Sequence, residues 1–265
     1  MKPSWVRYLE KHSRTYFYVL PPAIGSSAVE RTLWKHYYEG PSLCWRKTYN
    51  KPQCPVCDAA DEVEKARGEK AAKKLWAAPK VCVNAIVIGT QALDAQGNDD
   101  GNERPTESVG SEIIEITPRM WDQIRARAAN PGVGMYFWVP ERSVCAVVTR
   151  FGPEGAATYT GDLCGTMDQG GIFNPARVNL MDLYPEVTTW LRDLPDLAKA
   201  WELDADQATS DYERASRIKS IMLSDDDCPP TTPPSAPPKP STPPTPTIPP
   251  RPSVPPPPWL KPSGQ

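Results

Sequence analysis

The chain has 265 residues, 39% of them hydrophobic, with 30 Lys/Arg against 32 Asp/Glu and a formal net charge of -2. That apolar content suffices for the core of one medium domain or two small ones, and the longest apolar run, Val81 to Ile88 with Asn84 inside it, is far short of a membrane span. Seven cysteines and an opening stretch, MKPSWVRYLEKHSRTYFYVL, with charges scattered through it argue for a reducing cytoplasm and against secretion.

The near-neutral total hides a split. Residues 1–80 carry 15 Lys/Arg against 8 Asp/Glu, whereas residues 81–223 carry 12 against 21. A basic front on an acidic rear offers a face for a polyanion without making the whole chain basic.

In chain order, residues 7–20 (RYLEKHSRTYFYVL) have strand propensity and end at Pro21-Pro22. Residues 30–38 and 42–49 give a second and third strand. A helix is predicted over 58–78, rich in Ala, Glu and Lys, with Asp58 capping its start. Residues 80–89 (KVCVNAIVIG) form the strongest strand, 91–106 a polar loop, 112–116 a strand, and 118–129 a helix with Pro in its first turn. Further strands are predicted at 134–139, 143–151 and 157–161. Short strands around one or two helices indicate a mainly β, α+β fold or small barrel. Residues 183–223 read as helical. From 224 to 265 proline makes up nearly half the residues, a composition for extended, disordered chain with polyproline-II character.

The densest chemistry lies between His36 and Cys57. Cys54-Pro55-Val56-Cys57 is a Cys-x2-Cys knuckle, Cys44 lies ten positions upstream of it, and His36 is one of two histidines in the chain. Together they have the ligand types of a single tetrahedral structural zinc site. Free thiols and a redox Cys-x2-Cys are the competing readings, although a redox pair needs neither Cys44 nor His36. A zinc deaminase requires a glutamate two residues after its histidine, and Tyr38 stands there. Cys82, Cys145 and Cys164 sit in or beside apolar strands and read as buried thiols.

Around the knuckle, aromatic and basic residues interleave: Tyr16, Tyr18, Trp34, Tyr37, Tyr38, Trp45 and Tyr49 with Arg14, Arg31, Lys35, Arg46, Lys47, Lys51, Lys73, Lys74 and Lys80. Aromatic faces stack on bases while cations meet phosphates, the combination needed to hold single strands of any sequence. Strand alternation places about half of any strand's aromatics in the core. No nucleophile with a paired base and no phosphate loop is visible, so the chain reads as a binding protein and not an enzyme.

The order of features resembles the zinc-containing single-stranded DNA-binding, helix-destabilising proteins of T-even-type bacteriophages. The matching residues are Leu20-Pro21-Pro22, the His36/Cys44/Cys54/Cys57 set with its Cys-Pro-Val-Cys, Lys80 and Asn84 in a strand with Ile86-Val87-Ile88, then Gly110, Ile113, Trp121, Asp122 and Ile124. The resemblance covers roughly residues 14–162. The resemblance implies a five-stranded OB-fold barrel over residues 1–182 with a zinc subdomain at about 30–79, followed by a helical segment, 183–223, and the tail, 224–265. It also implies one structural Zn2+, cooperative coating of single-stranded DNA in phage replication, recombination and repair inside the infected host's cytoplasm, and contacts from the C-terminal region to replication or recombination proteins. A second reading is a zinc-containing transcription or replication adaptor that recruits partners through its proline-rich tail.

Overall fold

The computed structural model describes residues 6–105, 110–130, 132–134, 136–153, 157–169, 172–197, 199–201, 203 and 205–224, so the expectation for the proline-rich tail lies outside the described residues. The chain folds as a mainly antiparallel sheet with helices on it. Strand β1 (Val6–Tyr8) is followed by β2 (Ser13–Val19), β3 (Glu30–His36) and β4 (Ser42–Leu43). Helices α1 (Trp45–Tyr49), α2 (Pro55–Arg67) and α3 (Glu69–Ala72) come next, then a 3-10 turn at Lys73–Leu75. The long β5 (Ala78–Leu93) leads to β6 (Asp99–Pro105), β7 (Ser111–Ile116) and α4 (Pro118–Ala128). A 3-10 turn at Pro140–Arg142 precedes β8 (Ser143–Phe151), β9 (Thr158–Leu163), β10 (Gly165–Met167), β11 (Phe173–Pro175) and β12 (Arg177–Val178). Helices α5 (Leu180–Leu183), α6 (Val187–Arg192) and α7 (Ala205–Leu223) complete the order.

Strand β5 is the spine. Along one edge it pairs first with β3 and then with β2, and along the other first with β7 and then with β6. Such a strand must bend, and the register slips by one residue between Tyr16 and Phe17, opposite Gly89 and Val87. A bulge of this kind sharpens the local twist. Strand β2 pairs on its far side with β8, which carries β9, and β1 adds to β7 in parallel.

Among the described residues the sheet does not close into a barrel. Its ends, β1 on β7 and β9 on β8, share no ladder. At that seam the Arg150 side chain donates from Nη1 to the Leu9 carbonyl at 3.1 Å, so a guanidinium spans the gap that backbone pairing leaves.

Alternation along the strands supplies two buried faces. Phe17 and Val19 of β2, Val81, Val83, Ala85 and Val87 of β5, and Ala146 and Val148 of β8 face α4, whose Met120, Trp121 and Ile124 complete the main core. The approach is close: a side chain at Gly161 would collide with the Met120 carbonyl. On the opposite face, Tyr16, Tyr18, Ile86, Ile88, Cys145 and Val147 are covered by Leu180, Val187 and Leu194. Leu197 and Trp201 pack on Leu33, Cys82 and Ile113, and α7 leaves the sheet for the α2 unit, where Ala215 and Ile218 join Val56, Ala59 and Val63. Residues 183–223 therefore wrap three surfaces in turn. At its crossing point the Asn84 side chain, buried between β2 and β3 on the edge of β5, donates from Nδ2 to the Pro195 carbonyl at 3.1 Å.

Several expectations are corrected. Residues 42–49 are not one strand: β4 stops at Leu43 and α1 begins at Trp45, with Cys44 as its N-cap. The helix expected to start at Asp58 starts at Pro55, N-capped by Cys54, because proline suits a first helical position. It breaks at Gly68, whose φ is 83°. The loop at 91–106 contains β6, and the described residues in 134–139 form turns instead of a strand.

Candidate functional site

The four residues singled out as metal ligands converge. His36 closes β3, and the β3–β4 hairpin turns through Glu39 and Gly40, both at positive φ, so that Cys44 follows directly. The Cys44 amide then donates to the Trp34 carbonyl at 2.7 Å. Cys54 caps α2 and Cys57 lies in its first turn, where helix amides and the macrodipole favour thiolate over thiol. The ligand atoms all lie within 4.8 Å of one another. The Cys44 and Cys57 Sγ atoms are 3.5 Å apart, and His36 Nε2 is 3.6 Å from the Sγ atoms of both Cys54 and Cys57.

These separations suit one small ion. Tetrahedral bonds of about 2.3 Å to sulfur and about 2.0–2.1 Å to nitrogen put sulfurs about 3.8 Å apart and sulfur about 3.6 Å from nitrogen. His36 Nδ1 lies 2.7 Å from the Leu75 carbonyl, which only accepts, so Nδ1 carries a proton and Nε2 is the ligand atom. The cluster therefore can hold a metal ion with four protein ligands and an outer-shell partner. Hydrogen bonds from Cys44 and then Cys57 hold the Cys54 thiol far below the usual range, while hydrogen bonding with Cys44 and then Cys54 pushes Cys57 up. Burial works against a charged His36, but hydrogen bonds with Cys44, Cys54 and the Leu75 carbonyl outweigh it and raise the ring to about 9. A cation held here would take the place of the protons in this cluster.

The α7 helix braces the unit. Trp45 Nε1 donates to Asp211 Oδ2 at 2.7 Å, the Trp45 ring meets Tyr212 edge to face at 5.5 Å, and both Trp45 and Asp211 are buried. Burial pushes the Asp211 carboxyl up, against the pull of the Trp45 hydrogen bond and Arg214.

The predicted DNA-binding residues do not form one face. Tyr16 and Tyr18 lie under the α5–α6 cover, where strand alternation turned them toward a second core that the sequence did not announce, and Trp45, at the start of α1, lies under α7, so none offers an open ring. Burial drives the Tyr16 phenol up to about 12. Lys35 is buried against Glu115 in an ion pair and is not an exposed phosphate contact. Arg14 and Tyr16 both donate to Gln91 Oε1 at 3.2 Å, and Arg31 donates to the Leu197 carbonyl at 2.6 Å. Arg46 pairs with Asp58 and Asp61, which leaves little net charge there. Tyr49 is half-buried between two apolar clusters. Lys47 lies 4.2 Å from the centre of the Trp34 ring and Lys74 5.2 Å from that of Tyr38, both beside the metal unit, while Lys51 and Lys73 are exposed.

Tyr37 and Lys80 do come together, in an open cleft at the seam of the sheet. Its lining adds Leu9, Glu115, Ile116, Arg150 and Tyr159. Lys80 Nζ stands 5.5 Å from the Tyr37 ring centre and the Arg150 guanidinium 5.7 Å from that of Tyr159, its cross-strand partner. Glu115, which pairs with Lys35 and lies 3.5 Å from the Tyr37 hydroxyl, faces Lys35, Lys80 and Arg150, so cations outnumber anions. Sequence reasoning missed Arg150 and Tyr159. A signal existed: Val144, Ala146 and Val148 alternate into the main core, and Arg150 continues the same alternation as a cation beyond the core's end.

No helix among the described residues is long and apolar enough to cross a membrane. No family model and no curated protein matches the chain.

Proposed function

We propose that the protein binds single-stranded nucleic acid, DNA in the first instance, through the seam cleft, and that the four-ligand cluster holds one structural zinc ion. The observation that carries this reading is the pairing of two aromatic rings with two cations, Tyr37 with Lys80 and Tyr159 with Arg150, along one open cleft. A base has a π-face for each ring and a phosphate for each cation, and neither contact selects a base. Duplex DNA hides its base faces, so the cleft favours single strands. The strand order supports an OB-like reading: β2, β5 and β7 pair in sequence, α4 follows, and β8 returns to β2 with β9 on its other edge, as in a partly open five-stranded barrel.

Three thiolates and an imidazole with no position left for substrate suit a structural zinc better than a catalytic one. The ion would fix the end of β3 from which Tyr37 projects, which ties the metal to the cleft. Titration of fluorescent oligonucleotides tests the function: tight binding to single strands of several sequences and weak binding to duplex support it, and equal binding to both opposes it. Metal analysis of the purified protein tests for one zinc per chain.

A further inference from the structure

A second aromatic groove borders the main core between residues 27–30 and α4. Trp121, Ala128 and Phe137 form its floor, with Val29 and Trp138 on its walls. Trp121 and Phe137 are almost wholly buried beneath it, 6.2 Å apart between ring centres, with the Trp121 indole N–H donating to Glu30; the half-buried Trp138 follows at 5.2 Å from Phe137, and Tyr136, outside the lining, at 5.6 Å from Trp138. Tyr136 is 64% exposed, and neither its hydroxyl nor the Trp138 indole N–H has a hydrogen-bond partner among the described residues. Trp138 and Tyr136 carry these donors at the rim of a groove whose lining also holds the Glu30–Arg125 ion pair, and aromatic-lined grooves take polyproline-II ligands, whose carbonyls accept from such donors.

The same chain carries a sequence of the composition that such ligands have. Residues 249–261 read PPRPSVPPPPWLK, with four successive prolines, Pro255 to Pro258, followed by Trp259 and Leu260. Reach is not limiting. Residues 225–248 span up to about 75 Å at ~3.1 Å per residue, against a radius of gyration of about 16 Å for a compact body of some 200 residues. Apolar side chains are otherwise scarce in the tail, so Trp259 and Leu260 are its natural anchors.

We propose that the groove at Trp121, Phe137 and Trp138 is the docking site for the chain's own segment Pro249 to Lys261. The proposal does not depend on the DNA-binding reading, because the groove shares no residue with the seam cleft. The test uses the full chain with Pro255 to Pro258 changed to Ser and Trp259→Ala, which frees the groove, and a labelled synthetic peptide of residues 249–261. Saturable peptide binding at least tenfold tighter than to the wild-type chain is expected, because the wild-type tail competes. Trp138→Leu and, at an exposed groove residue that leaves the core untouched, Ser27→Arg should each weaken the peptide at least tenfold in the tail-altered chain. Equal binding by the wild-type and tail-altered chains, or no loss in both groove variants, overturns the proposal.

Discussion

The Lys80 ammonium lies 5.5 Å from the centre of the Tyr37 ring, where the strand that forms the spine of the sheet passes the last residues before the metal unit. Burial holds this ammonium below the usual lysine range, against a smaller opposing pull from Glu115. A phosphate in the cleft favours the charged form and so restores the proton. If the cleft binds single strands as proposed, affinity should be full while Lys80 is protonated and fall as pH rises through the depressed pKa, earlier than for an exposed lysine. Affinity measured from pH 7 to 10 at fixed ionic strength should fall in the wild type and hold up better in Lys80→Arg, whose charge persists. Superimposable curves contradict the assignment.

Zinc removal should loosen the binding face as well as the fold. Structural sites in small zinc modules contribute roughly 10–16 kcal/mol of folding free energy, and here α7 docking shares the task. Chelation or Cys54→Ser should lower the melting temperature and weaken single-strand binding, with acid pH favouring metal loss because the thiolates must protonate. Cobalt substitution reads the ligand set: tetrahedral three-sulfur, one-nitrogen absorption is expected, changed in His36→Ala. Unchanged DNA affinity in metal-free protein breaks the link between ion and cleft.

Glu115→Gln should cost about 3–5 kcal/mol, since it leaves the Lys35 ammonium buried without its counter-charge. Glu115→Gln combined with Lys35→Met should recover much of that loss. Chemical denaturation of the three variants measures both. A single substitution within ~0.5 kcal/mol of wild type would mean the pair is more hydrated than its burial implies.

The α7 brace is also open to test. Asp211→Ala removes the acceptor of the Trp45 indole, with an expected loss of about 1–3 kcal/mol. Amide exchange should then quicken in α2 more than in β5. Equal quickening in both would show that α7 stabilises the sheet and the metal unit as one body.

The metal cluster was legible because its ligands are close in sequence and of types that few other roles explain; His36, eight positions before Cys44, needed only the β3–β4 hairpin to join them. Strands β5, β7 and β8 and helix α4 were legible from local pattern. Tyr16, Tyr18 and Trp45 were misassigned for a physical reason. A half-buried strand shows the same alternation whether its second face meets DNA, solvent or another segment of the chain, and here residues 180–194 cover it from more than 160 positions away. The fate of the ring at Trp45 likewise depended on Asp211, far along the chain. Arg150 and Tyr159 reach the cleft only through the β8–β9 pairing and the open seam, which no local window contains.

Binding of single strands in the seam cleft is tested most directly by the salt dependence of oligonucleotide binding for the wild type, Lys80→Ala, Arg150→Gln and Tyr37→Ala, with Lys51→Ala as the control outside the cleft. Each lost cation should flatten the log-log salt slope by about 0.7. Tyr37→Ala should cost about 1–3 kcal/mol with the slope unchanged, and Lys51→Ala should change little. Cleft variants that bind as the wild type does, with folded structure and metal content intact, would contradict binding in the cleft.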